Sequence, residues 1–375
     1  MERKQKELIL KDLNKKMVFL TGPRQVGKTW LAKDIAKSFS DSVYLNYDSL
    51  EDRKIIKREA WLPKTRLLIL DEIHKMPGWK NHLKGIFDTK PDHMMILVTG
   101  SARLDMFRQS GDSLAGRYFA HRLLPLSPSE PGLDVISFDL ERFMRRGGFP
   151  EPFLAEDDTD ADRWRMQYID GLIRTDILDF ERIHDFRAIQ LVLRLLRSKV
   201  SSPVSYKSIA EDVGIAQNTV RKYIQILEAL YIIFRVAPFS GNIARSIIKE
   251  PKIYFFDTGM VEGDEGIRFE NMVALSLLKY TYAMVDCLGK PYSLNYLRTK
   301  DGAEVDFCLV KGDKPELMIE AKRSDSIPGR SILYFNKRYD IPGLQVVLHL
   351  KQEKIEKGIE IRRGTDYLKS LKTET

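Results

Sequence analysis

The chain has 375 residues, of which 43% are hydrophobic and 30% charged, a composition typical of an ordinary soluble protein with two or three domains. Its formal net charge of +8 permits nucleic-acid binding without requiring it, and its two cysteines, Cys287 and Cys308, are too few for a disulfide framework or a metal cage. No run reaches the roughly 18 apolar residues of a membrane span. The charged N-terminus lacks a signal-like segment, so we expect a cytoplasmic protein with no membrane partner.

The first informative motif follows Met17–Thr21, an apolar segment that predicts a buried strand. It reads Gly22-Pro23-Arg24-Gln25-Val26-Gly27-Lys28-Thr29 and fits the P-loop pattern G-x-x-x-x-G-K-[ST]. Residues 30–39 then carry apolar side chains at helical spacing. In this context, loop N–H groups and the positive end of the helix bind the phosphates of ATP or ADP. We expect Lys28 to reach the phosphates and Thr29 to coordinate Mg²⁺.

A second apolar segment, residues 66–71, ends in Asp71 and is followed directly by Glu72. Alone, this pattern is typical of a buried strand that ends in a solvated acidic turn. Downstream of a P-loop it is typical of a Walker B strand, in which Asp71 holds the Mg²⁺ shell and Glu72 polarises the attacking water. The two motifs together predict an ATPase.

Three more short apolar segments predict strands, so that residues 1–131 alternate strand and helix as in a parallel sheet. They are residues 43–47, 94–99 and 118–126. The second of them ends at Thr99, just before Ser101. Either hydroxyl could sense the γ-phosphate, so both are candidates.

An arginine that stabilises transition-state charge is the remaining part of such a site. Arg117, at the end of Ser-Leu-Ala-Gly-Arg, is the first candidate, acting in cis or from a neighbouring subunit of an oligomer. The alternative is an ordinary surface arginine. Arg24 and Arg103 are weaker candidates.

The middle of the chain changes character twice. Residues 125–131 are rich in proline and cannot continue a helix or a central strand, which predicts a domain boundary near residue 131. Residues 132–200 have a helical, arginine-rich pattern typical of a linker domain.

Residues 201–240 contain a helix-turn-helix signature: Ile209-Ala210-x-x-x-Gly214-x-x-x-x-Thr219-Val220. A strand at residues 231–236 could form a wing. The second predicted helix presents four polar side chains on its exposed face: Gln217, Asn218, Arg221 and Lys222. These side chains could enter a DNA major groove. The alternative is a packing module that braces the ATPase.

Residues 241–375 return to mixed α/β and carry a possible second active site. Glu270 belongs to the segment that opens an amphipathic helix at residues 272–280. Asp306 lies in a predicted strand, and the next strand ends in Glu320-Ala321-Lys322. Carboxylates from a helix and two strands could hold a second Mg²⁺ or a Mn²⁺, and Lys322 could activate a water for phosphodiester cleavage. The alternative is a set of ordinary salt bridges at the rim of a sheet.

These motifs, in this order, resemble a family of prokaryotic AAA-type ATPases of the additional-strand P-loop class with a C-terminal PD-(D/E)XK nuclease-like domain. The resemblance covers nearly the whole chain and is carried by residues 21–29, 70–79, 98–101, 113–117, 147–151, 304–307 and 320–322. It implies an α/β protein with a five-stranded ATPase core at 1–131, a helical lid at 132–200, a winged helix at 201–240 and a nuclease-like domain at 241–375. It also implies the Walker roles given above and a possible metal site at Glu270, Asp306 and Glu320, although Val305 replaces the proline of the nuclease pattern.

Three hypotheses about function follow. The first is an ATPase that acts as a nucleotide-driven switch on its winged-helix and nuclease-like regions, with DNA as the target. The second is an ATP-responsive regulator that binds DNA or protein, with little turnover and an inactive nuclease-like domain. The third is a toxin-like or defence nuclease that the ATPase holds inactive.

Overall fold

The two halves of the chain form different sheets. The structure is a computed structural model, and it describes residues 3–100, 114–130, 139–173, 185–240 and 250–371. It divides into a first unit, residues 1–124 with 130–132, and a second unit, residues 125–129 with 133–375. The finer division into four parts stays a prediction.

The first unit contains a five-stranded sheet in the order β2-β3-β4-β1-β5, and every neighbouring pair is parallel. Its described elements, in chain order, are α1 (Gln5–Leu13), β1 (Met17–Thr21), α2 (Lys28–Ala36), β2 (Ser42–Asn46), α3 (Leu50–Arg58), β3 (Leu67–Asp71), α4 (Trp79–Thr89), β4 (Met95–Thr99) and β5 (Tyr118–Arg122). All residues of β1 and β3 are buried, which explains their continuous apolar sequences. Since the strands are parallel, the ends of β1 and β3 meet at one edge, with β4 between them.

Two predicted boundaries in this unit shift for local reasons. Helix α2 begins at Lys28, inside the motif, because Gly27 adopts a left-handed conformation (φ 98°) that closes the loop. Strand β5 ends at Arg122, well before residue 126, because its partner β1 ends at the paired residue, Thr21.

The second unit contains an eight-stranded mixed sheet in the order β12-β13-β11-β10-β9-β8-β6-β7. Its described helices are α5 (Leu140–Arg146), α6 (Pro150–Leu154), α7 (Asp158–Gly171), α8 (Phe186–Arg197), α9 (Tyr206–Val213), α10 (Gln217–Ala229), α11 (Glu265–Leu288), α12 (Arg330–Tyr339) and α13 (Gly364–Ser370). Its described strands are β6 (Ile233–Pro238), β7 (Lys252–Phe255), β8 (Tyr292–Arg298), β9 (Glu304–Lys311), β10 (Lys314–Lys322), β11 (Gly343–Val347), β12 (Lys354–Glu356) and β13 (Ile359–Arg363).

Helix α11 is much longer than the predicted helix at residues 272–280. It begins at Glu265 because Asp264 accepts a hydrogen bond from the backbone N–H of Ile267 and caps the helix. Glu270 therefore lies in the second turn of the helix rather than at its start. The buried Asn271 bonds both the N–H (2.8 Å) and the C=O (3.0 Å) of Phe255, which fixes this helix on β7.

Strand β6, predicted as residues 231–236, extends the C-terminal sheet. It pairs with β7 in antiparallel orientation, and its last two residues, Ala237 and Pro238, pair with β8. A buried ion pair between Arg165 of α7 and Asp257 (2.7 Å) links the helices before β6 to the segment after β7.

Each helix in the described part of the chain is too short or too polar to cross a lipid bilayer.

Candidate nucleotide-binding site

The P-loop motif connects β1 to α2, as expected from its sequence. The side chain of Lys28 folds into the loop, where its ammonium group donates hydrogen bonds to the carbonyls of Gly22 (3.1 Å) and Pro23 (2.5 Å). Lys28 is buried, while Thr29 is partly exposed. The positive charge therefore lies at the start of α2, where a P-loop binds phosphate oxygens.

Gly22 sets the path of this loop. Its φ of 139° disfavours any side chain, and a Cβ atom there would lie 2.2 Å from the carbonyl oxygen of Leu123. The loop backbone thus leaves the sheet in close contact with the backbone that follows β5.

Asp71, at the end of β3, collects three hydroxyl groups. Its Oδ2 atom accepts hydrogen bonds from Thr29 (2.9 Å) and Tyr44 (2.6 Å), and its Oδ1 atom accepts one from Thr99. Thr29 comes from α2, Tyr44 from β2 and Thr99 from β4. The structure therefore brings Thr29 and Asp71 into direct contact. The Thr99 hydroxyl, a candidate sensor of the γ-phosphate, donates its hydrogen bond to the Asp71 carboxylate. Ser101, the other candidate, lies outside the described residues.

A Mg²⁺ ion fits the chemistry of this pair. A threonine hydroxyl and a carboxylate 2.9 Å apart are hard oxygen donors of the kind that Mg²⁺ takes in nucleotide sites. Asp71 is 3% exposed, so water screens its charge little and its attraction for a cation is strong.

Glu72 follows Asp71 in an unusual backbone conformation. Its φ of 57° is left-handed, which is rare for a residue with a side chain, and its N–H donates to the carbonyl of Thr99 (3.0 Å). Its carboxylate lies 3.3 Å from the ammonium group of Lys75 and 3.6 Å from His74 Nε2. The carboxylate is thus held beside the edge where β3 and β4 end.

The candidate arginines differ in position. Arg24 lies in the loop and is half-buried, whereas Arg103 is outside the described residues. Arg117 precedes β5, which is aligned in parallel with β1, so one strand length of about 16 Å separates it from the loop edge. It forms a two-point ion pair with Asp88 (2.8 and 3.0 Å). The structure does not bring Arg117 to the P-loop of its own chain, and a role in a neighbouring subunit stays a prediction.

Tyr44 is a site residue that sequence reasoning missed. Burial, and next its hydrogen bond to Asp71, raise the pKa of the Tyr44 hydroxyl above its ordinary value, so it remains a donor. The ammonium group of Lys33 lies 4.7 Å from the centre of the Tyr44 ring. The only signal in the sequence is that Tyr44 lies in the strand that precedes the Asp71 strand.

The acidic residues predicted as a metal site in the second unit pair with lysines. Asp306 and Glu270 both face the ammonium group of Lys252, and Glu320 pairs instead with Lys322 (3.0 Å). Within the described ranges, no group of three histidine, cysteine or acidic side chains could hold a metal ion. The three-carboxylate site stays a prediction. A buried lysine, Lys252, which sequence reasoning missed, lies between two of its members.

Comparison with known proteins shows a likeness for each part of the chain. Residues 14–131 match a family described as an AAA domain, while residues 137–267 and 265–364 match two families described as domains of unknown function. Most of the first unit is thus similar to an AAA domain, and its parallel sheet agrees with that likeness.

The chain is similar to proteins from bacteria and archaea. The uncharacterized protein Rv2008c of Mycobacterium tuberculosis is 26% identical over 80% of this chain and 68% of its own length. The uncharacterized protein MJ1544 of Methanocaldococcus jannaschii is 25% identical over 84% of this chain and 76% of its own. Among solved structures, the Walker-type ATPase PABY2304 of Pyrococcus abyssi is 13% identical, with a TM-score of 0.44, and the match covers 68% of this chain and 93% of that chain.

Proposed function

We propose that the first unit binds ATP with Mg²⁺ and hydrolyses it. The observation that carries this proposal is the convergence of Thr29 and Asp71 next to a loop that contains the ammonium group of Lys28. These three groups are the ones that bind the phosphates of a nucleoside triphosphate and its metal ion in P-loop proteins.

Each residue then has a distinct role. Lys28 binds the β- and γ-phosphates, Thr29 and Asp71 hold Mg²⁺, and Thr99 and Tyr44 orient the Asp71 carboxylate through their hydroxyls. When bound, Mg²⁺ neutralises charge on the phosphate oxygens. Glu72 orients and deprotonates the attacking water, a role supported by its position directly after Asp71, at the edge where β3 and β4 end.

Replacing Lys28 with alanine should abolish ATP binding, with a loss of affinity of about 100-fold or more. The reason is that the variant lacks the charge-assisted hydrogen bonds to phosphate, which are worth about 1.5–3 kcal/mol each. Equilibrium titration with a fluorescent ATP analogue measures the change.

Lys37→Ala is the matched control, because Lys37 directly follows the same helix and its side chain is 76% exposed. We expect this variant to bind ATP as the wild type does. Equal affinities for Lys28→Ala and Lys37→Ala would contradict the proposed site.

We propose further that the second unit binds DNA through a winged helix. Helices α9 and α10 are joined by a tight turn at Gly214 (φ 75°), and the β6–β7 pair follows them. One face of α10 is buried. Its exposed face carries Gln217, Asn218, Arg221 and Lys222. Amides and cations on one exposed helix face are the groups that read base edges and bind phosphates in a major groove.

The topology of the C-terminal sheet supports a nuclease-like frame after this module. Helix α11 is followed by the antiparallel strands β8, β9 and β10, and then by α12 and β11, which is parallel to β10. Asp306 lies on β9 and Glu320 on β10, as in the resemblance described for the sequence. We propose that nucleotide turnover in the first unit switches the DNA affinity of the second.

Replacing Arg221 with alanine should weaken DNA binding several-fold and reduce the salt dependence. Log affinity falls with log salt, and the loss of one phosphate contact reduces the magnitude of this negative slope by about 0.9. Fluorescence anisotropy with a labelled duplex at several salt concentrations, with ATP and with ADP, measures both quantities.

The control is Arg58→Ala, which removes an exposed arginine at the end of α3 in the first unit and should leave the slope unchanged. If the affinity of the wild type for the duplex does not vary with salt, phosphate contacts do not drive the binding. That result would exclude DNA as the target of this surface and indicate a protein partner. Slow ATP hydrolysis that does not respond to DNA would favour a regulator with little turnover.

A further inference from the structure

The amino group of Lys252, the first residue of β7, lies among three carboxylates. Its Nζ atom is 2.9 Å from Glu304, 3.2 Å from Asp306 and 3.7 Å from Glu270. The Lys252 side chain is 1% exposed, and the centre of the Tyr296 ring lies 5.6 Å from its Nζ atom. A lysine this deeply buried is rare and requires partners that replace its water.

The carboxylates keep this lysine charged. Burial opposes the charge on Lys252, but attraction to Asp306, Glu270 and Glu304 outweighs it and raises the pKa of the ammonium group above its ordinary value. Burial, and next the charge of Asp306, raise the pKa of Glu270 to about 7. The centre of the cluster therefore contains a permanent cation surrounded by acids.

The oxygens of the cluster already have partners. Asp306 directs Oδ1 at Lys252, and its Oδ2 accepts a hydrogen bond from the N–H of Ala321 (3.1 Å). Glu270 Oε1 accepts the hydroxyl of Tyr254 (2.7 Å), and Glu304 Oε2 lies 3.5 Å from Arg298. A divalent ion needs several of these oxygens at about 2.0–2.1 Å, and it would repel an ammonium group bound to the same atoms.

We propose that Lys252 is a built-in substitute for the divalent cation of a nuclease site: its ammonium group occupies the place between Asp306 and Glu270, and the domain does not cleave DNA. This inference rests on the nuclease-like frame proposed for the second unit and is independent of the proposed ATPase. Lys252 also links β7, α11 and β9 through one charge, so the nuclease-like frame is held together without metal.

Thermal unfolding in the presence of MnCl₂, without nucleotide, tests the substitution on the full chain. Lys252→Ala should unfold at a lower temperature than the wild type, because its carboxylates lose their counter-ion. Mn²⁺ should then raise the unfolding temperature of the variant by about 5 °C at a concentration of 100 times the dissociation constant. If Lys252 is purely structural, the variant will unfold at a lower temperature but Mn²⁺ will not raise that temperature. That result would overturn the proposal.

Two further variants sharpen the test. Lys252→Met keeps most of the aliphatic packing and serves if the alanine variant does not fold. Lys354→Met is the matched control, because it removes a lysine that pairs with one glutamate, Glu356, in the same sheet but leaves Lys252 in place. It should gain no response to Mn²⁺.

The wild type provides an independent arm. Isothermal titration with Mn²⁺ should give the same result for the wild type and Asp306→Asn, and neither protein should nick supercoiled plasmid with Mg²⁺ or Mn²⁺, with or without ATP. Mn²⁺ binding or nicking that is lost in Asp306→Asn would overturn the proposal and make the domain a metal-dependent nuclease.

Discussion

Replacing Glu72 with glutamine is expected to reduce the rate of ATP hydrolysis by about 10²–10⁴-fold while ATP affinity changes little. The amide has the shape of the carboxylate but cannot accept a proton from the attacking water, and general-base catalysis contributes about that factor. Lys28, Thr29 and Asp71 remain in place, so binding of the nucleotide is retained. Phosphate release at saturating ATP measures the turnover number, and titration with a fluorescent analogue measures the affinity.

Glu59→Gln is the matched control for this experiment. Glu59 is an exposed glutamate of the same unit, and its backbone is also left-handed, with a φ of 53°. Its replacement changes one carboxylate to an amide in a similar backbone conformation away from the loop, and we expect normal turnover. Normal turnover in Glu72→Gln as well would refute the assignment of Glu72 as the base.

Gly22→Ala is expected to destabilise the first unit by about 3 kcal/mol and to abolish nucleotide binding. A positive φ costs a residue with a side chain about 1–2 kcal/mol, and forcing a Cβ against packed atoms adds about 1–3 kcal/mol. The atom in its way is the backbone oxygen of Leu123 at 2.2 Å, which cannot rotate aside as a flexible side chain does. Urea denaturation and ATP titration measure the two effects.

Gly78→Ala separates the two contributions. Gly78 also has a positive φ, 72°, but a Cβ atom there has no neighbour within 4 Å. We expect it to cost about 1 kcal/mol and to leave ATP affinity unchanged. If the two variants lose equal stability, close packing against Leu123 does not position the loop.

The candidate nucleotide site is visible in the sequence because its requirements are local. Gly22, Gly27 and Lys28 lie within one short loop, and the apolar strands before the loop and before Asp71 are readable as continuous buried segments. The contact between Thr29 and Asp71 then follows from one rule, since parallel strands bring their carboxyl ends to the same edge. Even here, the hydroxyl of Tyr44 could not be assigned, because its approach to Asp71 depends on the pairing of β2 with β3.

The sequence by itself therefore determined the parallel α/β core, the phosphate loop and the acidic strand end that faces it. Only the tertiary structure decided the surroundings of charged residues that are distant in the chain. Arg117 and the P-loop flank paired strands, but the parallel register puts them at opposite ends. Lys252 and Asp306 are 54 positions apart and lie on strands that do not pair, yet the fold brings their side chains within 3.2 Å. The physical reason is that a carboxylate attracts both metal ions and ammonium groups. The sequence shows the carboxylate, but only the fold shows which cation lies beside it.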